Sequence, residues 1–141
     1  MNIGSSAKIL LVPGPAGSGK SALAHTVCST VDSQGLLVCS TFFDHMGDPV
    51  TATDFMTALI RGLCTIDVQV KKAVAERLTK NPMLASAPAL RQLMDIVLPI
   101  LPKLPTTRTL VVGIDALDEQ SDPTVMLQLL RDHVPRLPSN F

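Results

Sequence analysis

The residues with the clearest chemical purpose lie between Gly14 and Ser21, where the sequence reads GPAGSGKS. They fit the pattern G-x-x-x-x-G-K-[ST] of a loop that binds nucleotide phosphates. Glycines let the backbone curl until its N–H groups converge on an anion, and Lys20 adds a positive charge for the outer phosphates. The Ser21 hydroxyl is a ligand that Mg²⁺ accepts beside a triphosphate. The sequence therefore predicts a site for a magnesium–nucleoside triphosphate formed by Gly14, Pro15, Ala16, Gly17, Ser18, Gly19, Lys20 and Ser21.

A second group of candidate residues is acidic and follows a run of β-forming residues, Thr109–Ile114. In parallel α/β sheets, ligands bind at the carboxyl ends of the strands, which is where Asp115 would lie. We expect Asp115 to hold the magnesium ion directly or through water. Asp118 or Glu119 would orient and activate the attacking water, and the longer side chain of Glu119 favours it for this role. The alternative is a solvated acidic turn that caps the last helix.

The elements around these residues alternate between strand and helix patterns. The apolar run Ile9–Val12 predicts a buried strand before the loop, and Ser21–Cys28 predicts a helix after it. Leu36–Phe43 predicts a second strand and Thr109–Ile114 a third. Such alternation is typical of an α/β fold with a parallel sheet.

Further helices are predicted between the second and third strands and after the third. One is capped by Thr51 or Thr53, and its apolar face comprises Phe55, Met56, Leu59, Ile60 and Leu63. Another spans Val68–Thr79 with an apolar seam of Val70, Val74 and Leu78. A third opens at Pro88, carries Leu90, Leu93, Met94 and Val97 on one face, and ends before Pro99. The last begins at Pro123, ends at Pro135, and faces the core with Val125, Met126, Leu129 and Leu130.

Composition limits the partners that this chain can have. The 141 residues include 12 basic and 12 acidic side chains and no Trp or Tyr. Without a basic patch or stacking aromatics, a nucleic-acid partner is not expected. Proline interrupts every long apolar stretch, so no membrane span is expected either. The three cysteines are widely spaced, which favours free thiols in a reducing compartment, the cytoplasm.

Together these motifs resemble the NACHT class of STAND P-loop NTPases, and in particular the nephrocystin-like version. The segment GPAGSGKSALAHTV looks like the first (Walker A) motif, and VVGIDALDE is similar to the second (Walker B) motif. CSTFFD and KNPMLASAPALRQLMDIVLPIL resemble the second strand and the linker helix of the family. The resemblance extends from about Lys8 to Phe141.

This resemblance implies a three-layer P-loop fold and a nucleotide switch. Members of the class bind ATP or GTP with Mg²⁺, hydrolyse it slowly, and couple nucleotide state to self-association and protein partners. The class has a further strand with a Thr-Ser-Arg-like motif, and this chain reaches Phe141 where that strand would begin. Residues 1–141 are thus expected to be a partial domain, truncated before the strand that follows the Walker B motif, which supports nucleotide binding more than turnover.

Two other functions are compatible with a phosphate-binding loop. A small phosphotransferase would gather arginines around the transferred group, whereas the six arginines here are scattered. A non-catalytic interaction fragment would keep the motifs without using them. A GTPase is disfavoured because the chain has no Asn-Lys-x-Asp motif.

Overall fold

The sheet consists of two parallel strands, β1 (Leu37–Phe42) and β2 (Val111–Asp115). The computed structural model describes residues 9–42, 50–105, 107–119 and 123–141. At the carboxyl edge Phe42 lies opposite Asp115, and one irregularity in the register falls near the start of β1. The second and third predicted strands are therefore confirmed. β2 begins at Val111 rather than Thr109 and extends one residue further, to Asp115. Phe43, the last residue of the predicted second strand, falls outside the described residues.

Helix α1 (Lys20–Ser33) connects the glycine-rich loop to β1. It contains the predicted helix Ser21–Cys28 and is longer at both ends. Gly19 precedes its first residue in a left-handed conformation, and Gly35, with φ of 68°, forms the turn into β1. Fourteen residues give a length of about 21 Å, similar to that of β1, so α1 returns the chain along the whole sheet.

Helix α2 (Ala52–Ile66) packs on β1 and is capped by Thr51 rather than Thr53. The Thr51 hydroxyl accepts a hydrogen bond from the Asp54 N–H at 3.2 Å, and the Asp54 carboxylate accepts one from the Thr51 N–H at 2.8 Å. The bond from the Thr51 backbone, and after it one of 2.8 Å that the Thr51 hydroxyl donates to the same carboxylate, hold the pKa of Asp54 below its usual value. Of the predicted apolar face, Phe55, Met56 and Leu63 are buried.

Helix α3 (Val68–Lys80) follows at once and is capped by Asp67, whose carboxylate accepts from the N–H groups of Gln69 and Val70. Val70 and Val74 are buried as the sequence predicts. A short 3₁₀ turn, Pro82–Ser86, then leads to helix α4, a continuous helical run over residues 89–103.

The prediction that Pro99 ends the third of these helices is wrong, because α4 continues past it to Lys103. A π turn at Leu93–Val97 precedes the proline, and the Leu98 N–H bonds the carbonyl of Leu93. The Asp95 carbonyl, which the N–H of residue 99 would bond in an α-helix, accepts instead from Arg77 Nη1 at 3.1 Å. A side chain of α3 thus replaces the donor that Pro99 lacks.

The same π turn changes which side chains α4 buries. Leu93 and Val97 are buried as predicted, but Leu90 and Met94 are 51% and 41% exposed. Leu90 precedes the π turn, so the turn does not account for its exposure. From Met94 onward the extra residue of the turn rotates the face, and Ile96 and Ile100 point into the core instead. A regular 3.6-residue pattern cannot anticipate this rotation.

The carboxyl-terminal part contains helix α5 (Pro123–His133), which buries Met126 and Leu129 as predicted, and a 3₁₀ turn, Val134–Arg136. Residues 136–141 follow no helix or strand pattern in the sequence. In the structure Asn140 is buried there: its carbonyl accepts from the Leu110 N–H, and its side-chain amide donates to the carbonyls of Pro105 and Arg108. The chain end therefore lies against the start of β2.

The predicted strand Ile9–Val12 is not a strand in the structure. Its side chains are 48–88% exposed, and the sheet of the described residues contains only β1 and β2. A buried strand needs a neighbour that pairs with its backbone, and neither β1 nor β2 supplies one to this segment. Among the described residues, no helix is long and apolar enough to cross a membrane.

The exposed segment Ile9–Val12 and the outer edges of β1 and β2 predict self-association of the 141-residue chain. An exposed apolar run of β-forming residues adds readily to an open sheet edge. Replacing both Leu10 and Leu11 by Lys should shift the chain toward the monomer, as measured by size-exclusion chromatography with light scattering over a concentration series.

Two exposed apolar residues elsewhere, Met83 and Leu127, provide a matched pair of control substitutions to Lys. The control pair should leave self-association nearly unchanged. A wild-type chain that stays monomeric at every concentration, or an equal effect of the control pair, would contradict this interpretation.

Candidate functional site

The glycine-rich loop has a backbone that only glycine adopts without strain. Gly17 and Gly19 have φ of 79° and 86°, in the left-handed region. The Ser18 N–H donates to the Pro15 carbonyl at 3.2 Å, and the Leu23 N–H donates to the Gly19 carbonyl at 2.9 Å. The loop therefore turns tightly and leads directly into the first turn of α1.

The side chain of Lys20 folds back over this loop. Its ammonium group donates to the carbonyl of Gly14 and, at 3.2 Å, to that of Pro15. A Cβ on Gly14 would lie 2.9 Å from Ser18 Oγ and 3.4 Å from Lys20 Cδ. Gly14 thus leaves the space through which the lysine crosses the loop, and the positive charge is held at the loop itself.

Helix α1 lies close against the sheet because β2 contains a glycine where they meet. A Cβ on Gly113 would lie 2.4 Å from the sulfur of Cys28 and 3.6 Å from the Cβ of Ser40. Cys28 is buried at this contact. Any side chain at position 113 would push the helix outward.

A second contact fixes the amino-terminal half of α1. The rings of His25 and Phe42 stack with centroids 3.9 Å apart and planes 3° from parallel. Phe42 is the last residue of β1 and lies opposite Asp115 in the register. The helix start that carries Lys20 and Ser21 is therefore directed toward the same sheet edge as Asp115.

Asp115 itself is half-buried at the end of β2. The pKa of the Cys28 thiol is raised, first by burial and then by the negative charge of Asp115, which places the carboxylate near α1. The next residue, Ala116, has φ of 53°, the one left-handed non-glycine conformation in the described ranges. Strained backbone beside a charged strand end is a feature of binding sites.

The other two candidate acids lie beyond this bend. Asp118 and Glu119 are exposed on the 3₁₀ turn Leu117–Glu119, and the Glu119 N–H donates to the Ala116 carbonyl at 2.9 Å. The structure thus separates the three acids into one half-buried strand-end carboxylate and two exposed ones.

No group of three or more His, Cys, Asp or Glu side chains that could hold a metal occurs in the part of the chain that the structure describes. Ser21 and Asp115 would supply only two ligands. Mg²⁺ is commonly bound by one or two protein ligands together with phosphate oxygens and water, so two suffice for a metal that arrives with a nucleotide.

Sequence reasoning missed three contributors to this arrangement: Gly113, His25 and Phe42. A glycine inside an otherwise apolar strand is a signal of close approach, and it could have identified Gly113. His25 carries no comparable signal, because a single histidine within a helix pattern is typical of an ordinary surface position. Its contact with Phe42 depends on how α1 crosses the sheet.

The described fold is a small mixed α/β domain with a glycine-rich loop and a strand-end aspartate at one edge of its sheet. Over residues 1–141 the chain matches the family described as Nephrocystin 3, N-terminal, and it belongs to that family. This confirms the nephrocystin-like part of the resemblance. Neither the curated proteins nor the solved structures gave a match.

The contact between Cys28 and Gly113 gives a prediction for stability. Gly113→Ala should lower the free energy of unfolding by about 1–3 kcal/mol, because the added methyl group overlaps the sulfur. Cys28→Ala in the same chain removes the sulfur and should recover part of that loss. Urea denaturation of the two single variants and the double variant would measure this coupling. A Gly113→Ala protein as stable as wild type, or additive losses, would show that the two residues are not in tight contact.

Proposed function

We propose that this chain binds a magnesium–nucleoside triphosphate, ATP in the first place, and acts as the nucleotide-switch core of a NACHT-type signalling protein with a P-loop fold. The observation that carries the proposal is the stack of His25 on Phe42, which directs the loop and the start of α1 toward the edge that bears Asp115. A phosphate site and a metal site are both needed at one edge, and this arrangement supports both.

The loop residues fit the phosphates of such a ligand. Gly17 and Gly19 give the loop the left-handed turns that a concave array of N–H groups requires. A lysine ammonium has three N–H donors; the carbonyls of Gly14 and Pro15 take two, and a phosphate oxygen can take the third. The positive end of the α1 dipole adds to the attraction for an anion.

Magnesium, when bound, neutralises charge on the phosphate oxygens and makes the terminal phosphorus easier to attack. The Ser21 hydroxyl and the Asp115 carboxylate are the ligands that this chain offers it. Glu119, or else Asp118, would accept a proton from water as a general base. Both are exposed to solvent, whereas Asp115 is half-buried. We take binding as the principal activity and hydrolysis as a slow one.

A phosphotransferase is less well supported, because arginines near the loop would be expected and several are engaged elsewhere. Arg108 donates to the carbonyls of Gln34 and Gly35, at the amino-terminal edge of the sheet. Arg77 bonds the Asp95 carbonyl, and Arg131 pairs with its neighbour Asp132 at 2.6 Å. An interaction fragment that does not bind nucleotide is the remaining alternative. A measurement of ATP binding distinguishes it from the proposed nucleotide switch.

Lys20→Ala should weaken the binding of ATP with Mg²⁺ by about ten- to a hundredfold. The reason is the loss of charge-assisted hydrogen bonds of about 1.5–3 kcal/mol. Isothermal titration calorimetry would measure the affinity. Lys103→Ala, at an exposed lysine at the end of α4, is the control and should bind as wild type does. Equal affinities of wild type and Lys20→Ala would refute the proposed site.

Removing one acidic group at a time should separate metal binding from water activation. Asp115→Asn should abolish most of the gain in ATP affinity that Mg²⁺ produces, since a neutral amide is a poorer magnesium ligand. Glu119→Gln should bind normally and release phosphate more slowly, as a continuous phosphate-release assay would show. If Asp118→Asn slows release and Glu119→Gln does not, the two roles are reversed. If neither does, the turn is not catalytic.

A further inference from the structure

The stacked pair His25 and Phe42 joins α1, which carries Ser21, to β1, the strand that pairs with the one carrying Asp115. His25 lies four residues after Ser21, so both side chains are on one face of α1. Phe42 lies opposite Asp115 in the sheet. Ring centroids 3.9 Å apart, with planes 3° from parallel, are close enough to transmit a shift of the helix to the strand end.

Within residues 20–27 of α1, Lys20 and Ala24 are half-buried and the other side chains are exposed. Leu23 and Val27, its larger apolar side chains, are 49% and 47% exposed. The tight contact of α1 with the sheet is at Cys28, about one turn beyond His25. Without the stack, α1 would still be anchored at Cys28, but its first turns could pivot about that point.

We propose that His25 is a positioning residue of the nucleotide site, which acts through Phe42 to hold the start of α1, and Ser21 with it, toward the sheet edge that carries Asp115. This inference rests on the proposed function. It assigns His25 a role through its stack on Phe42 and no contact with the nucleotide. Phe42, the last residue of β1, has the same positioning role from the strand side.

The test compares ATP affinity in Mg²⁺ with ATP affinity in EDTA, for wild type and for His25→Ala. ATP binding in Mg²⁺ uses both the glycine-rich loop and Asp115, whereas ATP binding in EDTA uses the loop without the metal ligands. His25→Ala should therefore reduce the gain from Mg²⁺ by about two- to tenfold, as expected for the loss of one aromatic pair, and leave the affinity in EDTA unchanged. His25→Phe keeps a flat ring and should restore the gain. Phe42→Leu, which removes the ring from the other side, should reproduce the effect of His25→Ala.

A double variant shows whether the effect passes through Asp115. In an Asp115→Asn chain, His25→Ala should cause no further loss of the gain from Mg²⁺. Three results would overturn the positioning role while leaving nucleotide binding intact. The losses of ATP affinity from His25→Ala and Asp115→Asn could be additive, His25→Ala could weaken ATP binding equally in Mg²⁺ and in EDTA, or His25→Phe could fail to restore the gain from Mg²⁺. A wild-type chain whose ATP affinity does not respond to Mg²⁺, or that binds no ATP, would overturn the proposed function and this inference with it.

Discussion

The close contact of α1 with the two-stranded sheet is the constraint on which the rest of the site depends. The Cys28 sulfur occupies the space that a side chain at Gly113 would need, and the ring of His25 covers Phe42. These two contacts fix the helix at its middle and near its start. Because α1 is about as long as β1, they direct its amino end and the glycine-rich loop toward the carboxyl edge of the sheet.

A second close helix–strand contact, between α2 and β1, also depends on a glycine. Gly62 of α2 leaves room for the Val38 carbonyl of β1, which would lie 1.8 Å from any Cβ at that position. β1 is therefore held closely from α2 as well as from α1. Small residues at helix–strand contacts allow a sheet of two strands to be packed tightly enough to position charged groups at its edge.

Local patterns predicted much of this structure because local physics decides it. The cap at Thr51, one of two predicted candidates, depends on hydrogen bonds within four residues, and the alternation of strand and helix follows from the spacing of apolar side chains. The loop Gly14–Ser21 and the strand end at Asp115 were equally accessible, since each is a contiguous motif. Their residue types predict the candidate site, but the sequence does not show how the two motifs approach each other.

Other features depend on partners far along the chain, and the sequence pattern missed them. The helix passes Pro99 because Arg77, on a different helix, donates to the Asp95 carbonyl. Ile9–Val12 has the composition of a buried strand but remains exposed, since burial requires a neighbouring strand that neither β1 nor β2 supplies. The role of His25 likewise depends on a ring contributed by β1. In each case the deciding interaction is tertiary, and no local period encodes it.

We propose that the glycine-rich loop and the acidic strand end at Asp115 form one ligand site. A backbone NMR titration of the 141-residue chain with ATP and Mg²⁺ tests it most directly, because the amide of each residue reports separately. If the two segments form one site, the amide resonances of Gly14–Ser21 and those of Asp115–Glu119 should shift together along a single saturation curve. Shifts confined to one of the two segments, or centred on another element such as α4, would contradict it.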